Sequence, residues 1–285
     1  MFKNMSPGAI GVSGTMQECL AIAKEVGFEG MDVNINEAAR IAGEKSPRAI
    51  KDMFLEAGLK IGGCNIVPEF RKDEETFRKG LAELPEKAAL AHDIEIKRTY
   101  TWIRPFSDEL PFEQNFELHA RRLTEIAQIL DEHGLRFGLE FVGPKTSRAG
   151  HKYEFIYDMD GMLKLCEAIG TPNVGLLLDS WHWYTTGGTV EDIRRLRADQ
   201  VVYVHVNDAP KGIPVDEQID NVRCLPGETG VIDIKGFLQA LKEIGYDGPV
   251  TPEPFKKELR EMPPREAART VAESMDKIWR IAGLS

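Results

Sequence analysis

The sequence predicts an α/β protein built as a single (β/α)8 TIM barrel. Three observations carry that expectation. A helical stretch that stops on a glutamate-to-glycine punctuation and leads toward a β-like run recurs five times, as Glu25-Val26-Gly27-Phe28, Glu56-Ala57-Gly58-Leu59, Glu132-His133-Gly134-Leu135, Glu167-Ala168-Ile169-Gly170 and Glu243-Ile244-Gly245-Tyr246. Glycine just past a helix enters the left-handed region without a steric penalty, so each copy reads as a helix stop before a strand. Eight strand-like segments alternate with helix-length segments, the pattern of a parallel sheet. No GxGxxG follows the first of them, which disfavours the competing architecture, a doubly wound open sheet.

Taken in order, the expected strands are residues 9–13, 30–35, 60–66, 96–103, 136–142, 174–179, 201–207 and 249–253. Several are continuous apolar runs, as strands buried on both faces require. Between them, Phe77, Leu81, Leu84 and Ala88 fall at helical spacing, as do Phe116, Leu123, Ile126, Ala127 and Leu130 within residues 116–131, and Phe237, Ala240, Leu241 and Ile244. No low-complexity linker divides the chain, so one domain over residues 1–285 is expected. Two loops are long for a barrel: residues 143–158 after the fifth strand and 208–230 after the seventh. Both lie at the C-terminal face, where barrel active sites form.

Charge narrows the function classes. With 36 Lys and Arg against 46 Asp and Glu in 285 residues, the formal net charge is −10. A general nucleic-acid binder needs a basic face, so no nucleic-acid partner is expected. No apolar run reaches the ~20 residues that span a bilayer, so no membrane partner is expected either. The N-terminal segment lacks a long apolar core. Cys19, Cys64, Cys166 and Cys224 form no CxxC and are too sparse for a disulfide framework. Together these predict a cytoplasmic protein with reduced thiols.

Four polar residues close the apolar strands five to eight: Glu140, Asp179, His205 and Glu253. A closed barrel brings those strand ends around one mouth. Three carboxylates held close repel one another unless a cation lies between them. Three carboxylates and one imidazole suit one divalent ion, Mn²⁺ first, with Mg²⁺, Co²⁺, Zn²⁺ or Fe²⁺ as alternatives. Each residue alone has a plainer reading, such as a helix cap for Asp179 or a core histidine for His205; the placement at four consecutive strand ends favours the metal.

The segments Gly138-Leu139-Glu140-Phe141, Leu178-Asp179-Ser180-Trp181-His182, Val204-His205-Val206-Asn207-Asp208 and Pro252-Glu253-Pro254 resemble the xylose-isomerase-like sugar phosphate isomerase/epimerase superfamily. The resemblance spans nearly the whole chain, from Gly27-Phe28-Glu29-Gly30-Met31-Asp32 to Gly245-Tyr246-Asp247-Gly248. It implies that Glu140, Asp179, His205 and Glu253 bind the metal. It also implies that His182 and Arg223, the latter before Pro226-Gly227-Glu228-Thr229-Gly230, contact substrate, with a brace or a loop ion pair as their plainer roles. The family's endonuclease branch uses more histidines than the six present here. The resemblance implies a homo-oligomer, a dimer or tetramer, and leaves room for a hetero-subunit partner.

Around the same mouth, Lys145, Arg148 and His151 on the first long loop are candidates for binding an anionic group or moving a proton, against a plain reading as solvated loop charges. Trp102 and Trp181, with Trp183 and Tyr184, are candidates for stacking on sugar C–H faces; Glu69 and Phe70 are weaker lining candidates. The expected function is a metal-dependent isomerase or epimerase of a keto-sugar or polyol ketone. The reaction passes through an enediolate, with Glu140 and Glu253 as proton acceptor and donor. The alternatives are a metal-dependent lyase on inososes or 3-keto-glycosides, including a C-glycoside-cleaving barrel subunit, and a non-catalytic sugar-binding protein. The segment Gly143-Pro144-Lys145-Thr146-Ser147-Arg148 lacks the extra glutamate found in some 3-epimerases, which keeps these alternatives open.

Overall fold

The computed structural model describes residues 1–284. Its main sheet contains β1 (Phe2–Met5), β2 (Gly30–Met31), β3 (Lys60–Ile61), β4 (Arg98–Ile103), β5 (Arg136–Phe141), β6 (Val174–Asp179), β7 (Val201–Val206) and β8 (Pro249–Pro252). Spatial order is β3-β2-β1-β8-β7-β6-β5-β4, all pairs parallel. A parallel bridge from Cys64 to Thr99 joins the segment after β3 to β4 and closes the ring. The TIM barrel is therefore present, with helices such as Met16–Val26, Glu74–Asp93, Phe112–Glu132 and Pro264–Ala282 around it. Among the described residues, no helix is long and apolar enough to cross a membrane.

All five punctuating glycines adopt positive φ, from 70° at Gly58 and Gly134 to 89° at Gly27. Seven expected strands are found at or near their expected positions; β2 and β3 are shorter because their chains leave the ladder after two residues. The first strand is a correction. Residues 9–13 were expected to form it, but Pro7–Ile10 is a 3-10 turn and β1 is Phe2–Met5. The polar Asn4 hid that strand. It is fully buried inside the barrel, where its amide donates to Asp32, Tyr203 and Thr251.

The two long loops are ordered by polar contacts. Within the first, Tyr153–Glu154 pairs antiparallel with Phe106–Ser107 from the loop after β4. The second hangs on Asp208, whose carboxylate accepts backbone N–H bonds from Ala209, Thr229, Gly230 and Ile232. Lys145 ion-pairs with Asp216 at 2.7 Å, and the Thr146 hydroxyl donates to the Gln218 carbonyl, so the loops hold each other.

One buried histidine gives the fold a pH dependence. His119 donates through Nδ1 to the Asn115 carbonyl, while Nε2 has no partner beside the Phe70 and Phe155 rings. Burial pushes this imidazole down to about 4. Between that value and the ordinary histidine range, the unfolded chain binds the proton and the folded chain does not, so stability falls as pH drops. Its contribution is about 3 kcal/mol, complete above pH ~6.5 and lost toward pH ~4. Urea melts across this window should show a shallower slope for His119→Phe than for the wild type.

Candidate active site and metal centre

Strand register builds the site. Alternation along a strand sends every second side chain into the barrel, so Tyr203 and His205 of β7 share the inward face. The Cα atoms of Asp179 and His205 are partners across β6 and β7, and those of His205 and Thr251 across β7 and β8. Glu140 stands level with Trp102 across β4 and β5. Glu253 follows β8, its backbone N–H donating to the Val206 carbonyl at 3.1 Å. One ligand atom from each of Glu140, Asp179, His205 and Glu253 lies within 4.8 Å of all the others.

Compensation for this crowding comes from two cations. The buried Arg223 guanidinium donates to Asp179 Oδ2 at 2.8 Å and Glu253 Oε2 at 3.0 Å, and reaches back to Asp220 at 2.8 Å. His205 Nδ1 lies 3.2 Å from Glu140 Oε1 and 3.4 Å from Glu253 Oε2. Burial pushes the Glu140 carboxyl upward, only partly opposed by His205. Burial acts on Glu253 too, but there His205 and Arg223 prevail and hold it at about 2. Burial disfavours a charged His205, yet its carboxylate neighbours raise it well above the usual imidazole range.

This donor set fits a divalent cation. Three carboxylates supply hard oxygen ligands and His205 a nitrogen, all on strand ends that cannot move apart without breaking the ladder. Neighbouring groups orient the ligands. Asp179 Oδ1 accepts from the Trp181 backbone N–H at 2.8 Å, capping the helix Ser180–Thr185, and from the Asn207 amide at 3.0 Å. The Gly143 N–H donates to His182 Nδ1 at 3.1 Å, which leaves the His182 proton on Nε2, facing the Arg223 and Asp179 side of the cluster.

The remaining candidates divide. Trp102 is 44% exposed at the mouth, its ring stacked on the Arg71 guanidinium at 4.3 Å. His182 and Arg223 sit beside the four ligands but are braced against them rather than free. Trp181 was expected to face a sugar; instead it is fully buried, with Arg223 5.4 Å over its ring, and it backs the site. Trp183 packs on Phe237 and Phe70 is buried, so neither faces the mouth, and Glu69 binds Arg71. The loop cations are likewise engaged: Lys145 with Asp216, Arg148 with the Gly143 carbonyl and Glu154, His151 with Asp108 at 2.9 Å and stacked on Phe106. They latch loops rather than offer free positive charge.

Sequence reasoning missed the polar interior beneath the cluster and the cavity beside it. Asp32, just past β2, is buried and accepts from the hydroxyls of Tyr203 and Tyr100 and the amide of Asn4. Burial pushes the Asp32 carboxyl up, and those three donors oppose the rise only in part. Period-two alternation from His205 to Tyr203, and from Trp102 to Tyr100, was the available signal. At the C-terminal ends of β1 to β3 opens a cavity of about 490 Å³, whose polar walls include Ser13, Asp32, Asn34, Asn36, Glu37 and Asn65. Tyr100 lines it too, and packs edge-on to the His205 ring, so cavity and cluster adjoin.

Fold and site together define an α/β barrel with a carboxylate-histidine metal centre. A family model described as xylose isomerase-like TIM barrel matches residues 20–278, and the chain belongs to that family. An inosose isomerase of Bacillus velezensis is 28% identical over 270 residues, covering 93% of this chain and 92% of that one. A 3-dehydroshikimate dehydratase of Pseudomonas putida is 28% identical over 268 residues, covering 92% of this chain but 40% of the dehydratase. Among solved structures, a xylose isomerase domain protein from Alicyclobacillus acidocaldarius is 31% identical with a TM-score of 0.86, covering 99% of each chain. A structure of IOLI protein with a bound zinc atom shares the fold at a TM-score of 0.80 and 20% identity, covering 98% of each chain. The chain is an enzyme of the sugar isomerase and epimerase class.

Arg223 gives the site a direct test. Arg223→Met leaves Asp179 and Glu253 buried without their partner, an error that typically costs about 3–5 kcal/mol. In EDTA the variant should melt well below the wild type, and added Mn²⁺ should raise its melting temperature more than that of the wild type.

Proposed function

We propose that the chain is a divalent-metal-dependent isomerase or epimerase of an uncharged keto-polyol, the inososes included, acting through an enediolate. The observation that carries this reading is a four-ligand cluster adjoining a cavity without a cation. Among the described residues, no Lys, Arg or His lines that cavity, whereas Asp32 and Glu37 do. A carboxylate or phosphate on the substrate would meet negative charge there, and the loop cations Lys145 and Arg148 are already paired. Neutral hydroxyls suit the amide and serine walls.

Glu140, Asp179, His205 and Glu253 would hold the ion, with Mn²⁺ the best match to the oxygen-rich set. Such an ion, when bound, supplies Lewis-acid polarisation of a carbonyl and eases loss of the neighbouring C–H proton. Glu140 and Glu253 approach the cluster from different strands and serve as the proton-accepting and proton-returning pair. Arg223 keeps Glu253 ionised, and Asp220 anchors Arg223. Trp102 forms an exposed apolar wall for a sugar face. Return of the proton to the opposite face of the same carbon gives an epimer, and return to the adjacent carbon gives an isomer. The dehydratase relative supports a second reading, in which loss of water follows proton removal; the same residues serve it.

The experiment is metal analysis followed by solvent-deuterium exchange into inososes, free ketoses, ketose phosphates, 3-dehydroshikimate and 3-keto-glycosides. Exchange confined to neutral keto-polyols is expected. Dehydrated product would establish the lyase reading, and binding without exchange would make the chain a sugar-binding protein. Glu140→Gln should keep the melting temperature within a few degrees and lower exchange by at least ~10²-fold; substantially unchanged exchange would refute its proton-transfer role.

A further inference from the structure

Beneath the four ligands lies a hydrogen-bonded network that no part of the mechanism above uses. Thr251 donates to the Tyr203 hydroxyl at 2.7 Å. Tyr203 donates in turn to Asp32, 2.7 Å from Oδ1 and 2.8 Å from Oδ2. The Tyr100 hydroxyl donates to Asp32 Oδ2 at 2.9 Å, and the Asn4 amide to Oδ1 at 2.9 Å. Five residues from five neighbourhoods of the barrel thus converge, and the hydrogen bonds at the Asp32 carboxylate run toward it. Two phenol donors and an amide donor at one point require a group that only accepts, which an ionised carboxylate is and an amide is not.

The tyrosines continue upward. Tyr100 meets the His205 ring edge-on, centroids 5.8 Å apart at 82°, and Tyr203 does the same at 5.5 Å and 87°. The two phenol rings are themselves packed at 4.3 Å. His205 is therefore seated on a pair of aromatic rings whose far ends are pinned to one carboxylate. On the Gly62 side the space around that carboxylate is closed: a Cβ added there would lie 2.2 Å from Asn4 Oδ1 and 2.6 Å from Asp32 Oδ1. The network cannot drift toward Gly62 to find other partners.

We propose that Asp32 is a positioning residue for the metal centre, acting through Tyr100 and Tyr203 to fix the plane of the His205 imidazole. It touches no ligand atom of the cluster; it sets the ring that presents one. This rests on the metal-binding reading of the four ligands. Replacing Asp32 by asparagine keeps the shape, but an NH2 donor must then face a phenol or amide donor, and one tyrosine loses its acceptor. Loss of a group that orients a histidine ligand typically weakens metal binding by about 10- to 100-fold.

The test is calorimetric titration of the metal-depleted full chain with Mn²⁺ and Co²⁺, together with the visible absorption of the Co²⁺-loaded protein and a thermal melt. Asp32→Asn should bind both ions about tenfold more weakly and shift the Co²⁺ bands. Tyr203→Phe, which keeps the ring and removes the hydroxyl, should reproduce part of both effects and guards against misfolding of the first variant. A lower melting temperature with unchanged metal affinity and Co²⁺ spectrum would overturn the proposal in favour of a purely structural Asp32. A raised KM with unchanged affinity would overturn it in favour of direct substrate contact. Wild-type protein that takes up no divalent ion would instead refute the metal-binding reading, and this inference with it.

Discussion

Three carboxylates held within contact of one another at the end of a closed barrel repel strongly in a medium that screens poorly. Glu140, Asp179 and Glu253 are fixed there by strand register and cannot separate. Much of the surrounding architecture answers that constraint. Arg223 reaches across from the second long loop to bridge Asp179 and Glu253, Asp220 holds Arg223 in place, and His205 sits between Glu140 and Glu253. The long loop after β7 is thus part of the electrostatic balance of the core, and Asp208, which pins that loop by four backbone N–H bonds, supports the centre from a distance.

The barrel interior is divided into two polar storeys. The upper one holds the ligands and their counter-charges. The lower one, around Asp32, is met by donors rather than by cations: two phenols and two amide or hydroxyl groups converge where, among the described residues, no lysine or arginine hydrogen-bonds. Aromatic rings lie between the storeys, so the lower network meets the upper through ring packing.

Much of this was legible in the sequence, for physical reasons. The five Glu-to-Gly punctuations mark chain reversals whose left-handed glycines are local necessities, so they survive any tertiary context. The four ligands end apolar strands, where a charge has few innocent explanations. What stayed hidden was set by partners distant in sequence. Asn4 made β1 look like a polar terminus because its satisfying groups, Asp32, Tyr203 and Thr251, lie far along the chain. Trp181 lies two residues after Asp179 and so looked like a mouth residue, yet the helix capped by Asp179 turns it inward. Lys145 and Arg148 read as free charge, and His151 as a mobile acid or base, because their partners Asp216, Glu154 and Asp108 are placed only by loop folding.

The cavity and the ligand cluster occupy adjoining sectors of the mouth. The ligands come from the ends of β5 to β8, whereas the cavity walls come from the ends of β1 to β3 and the chain that follows them. Tyr100 is the side chain that belongs to both. A change of wall residue, Asn36 or Asn65 for instance, alters what fits without disturbing the charge balance that the core depends on. Preference for substrate and competence for proton transfer can then drift independently, so relatives with the same four ligands can diverge in substrate by substitutions confined to the first third of the chain.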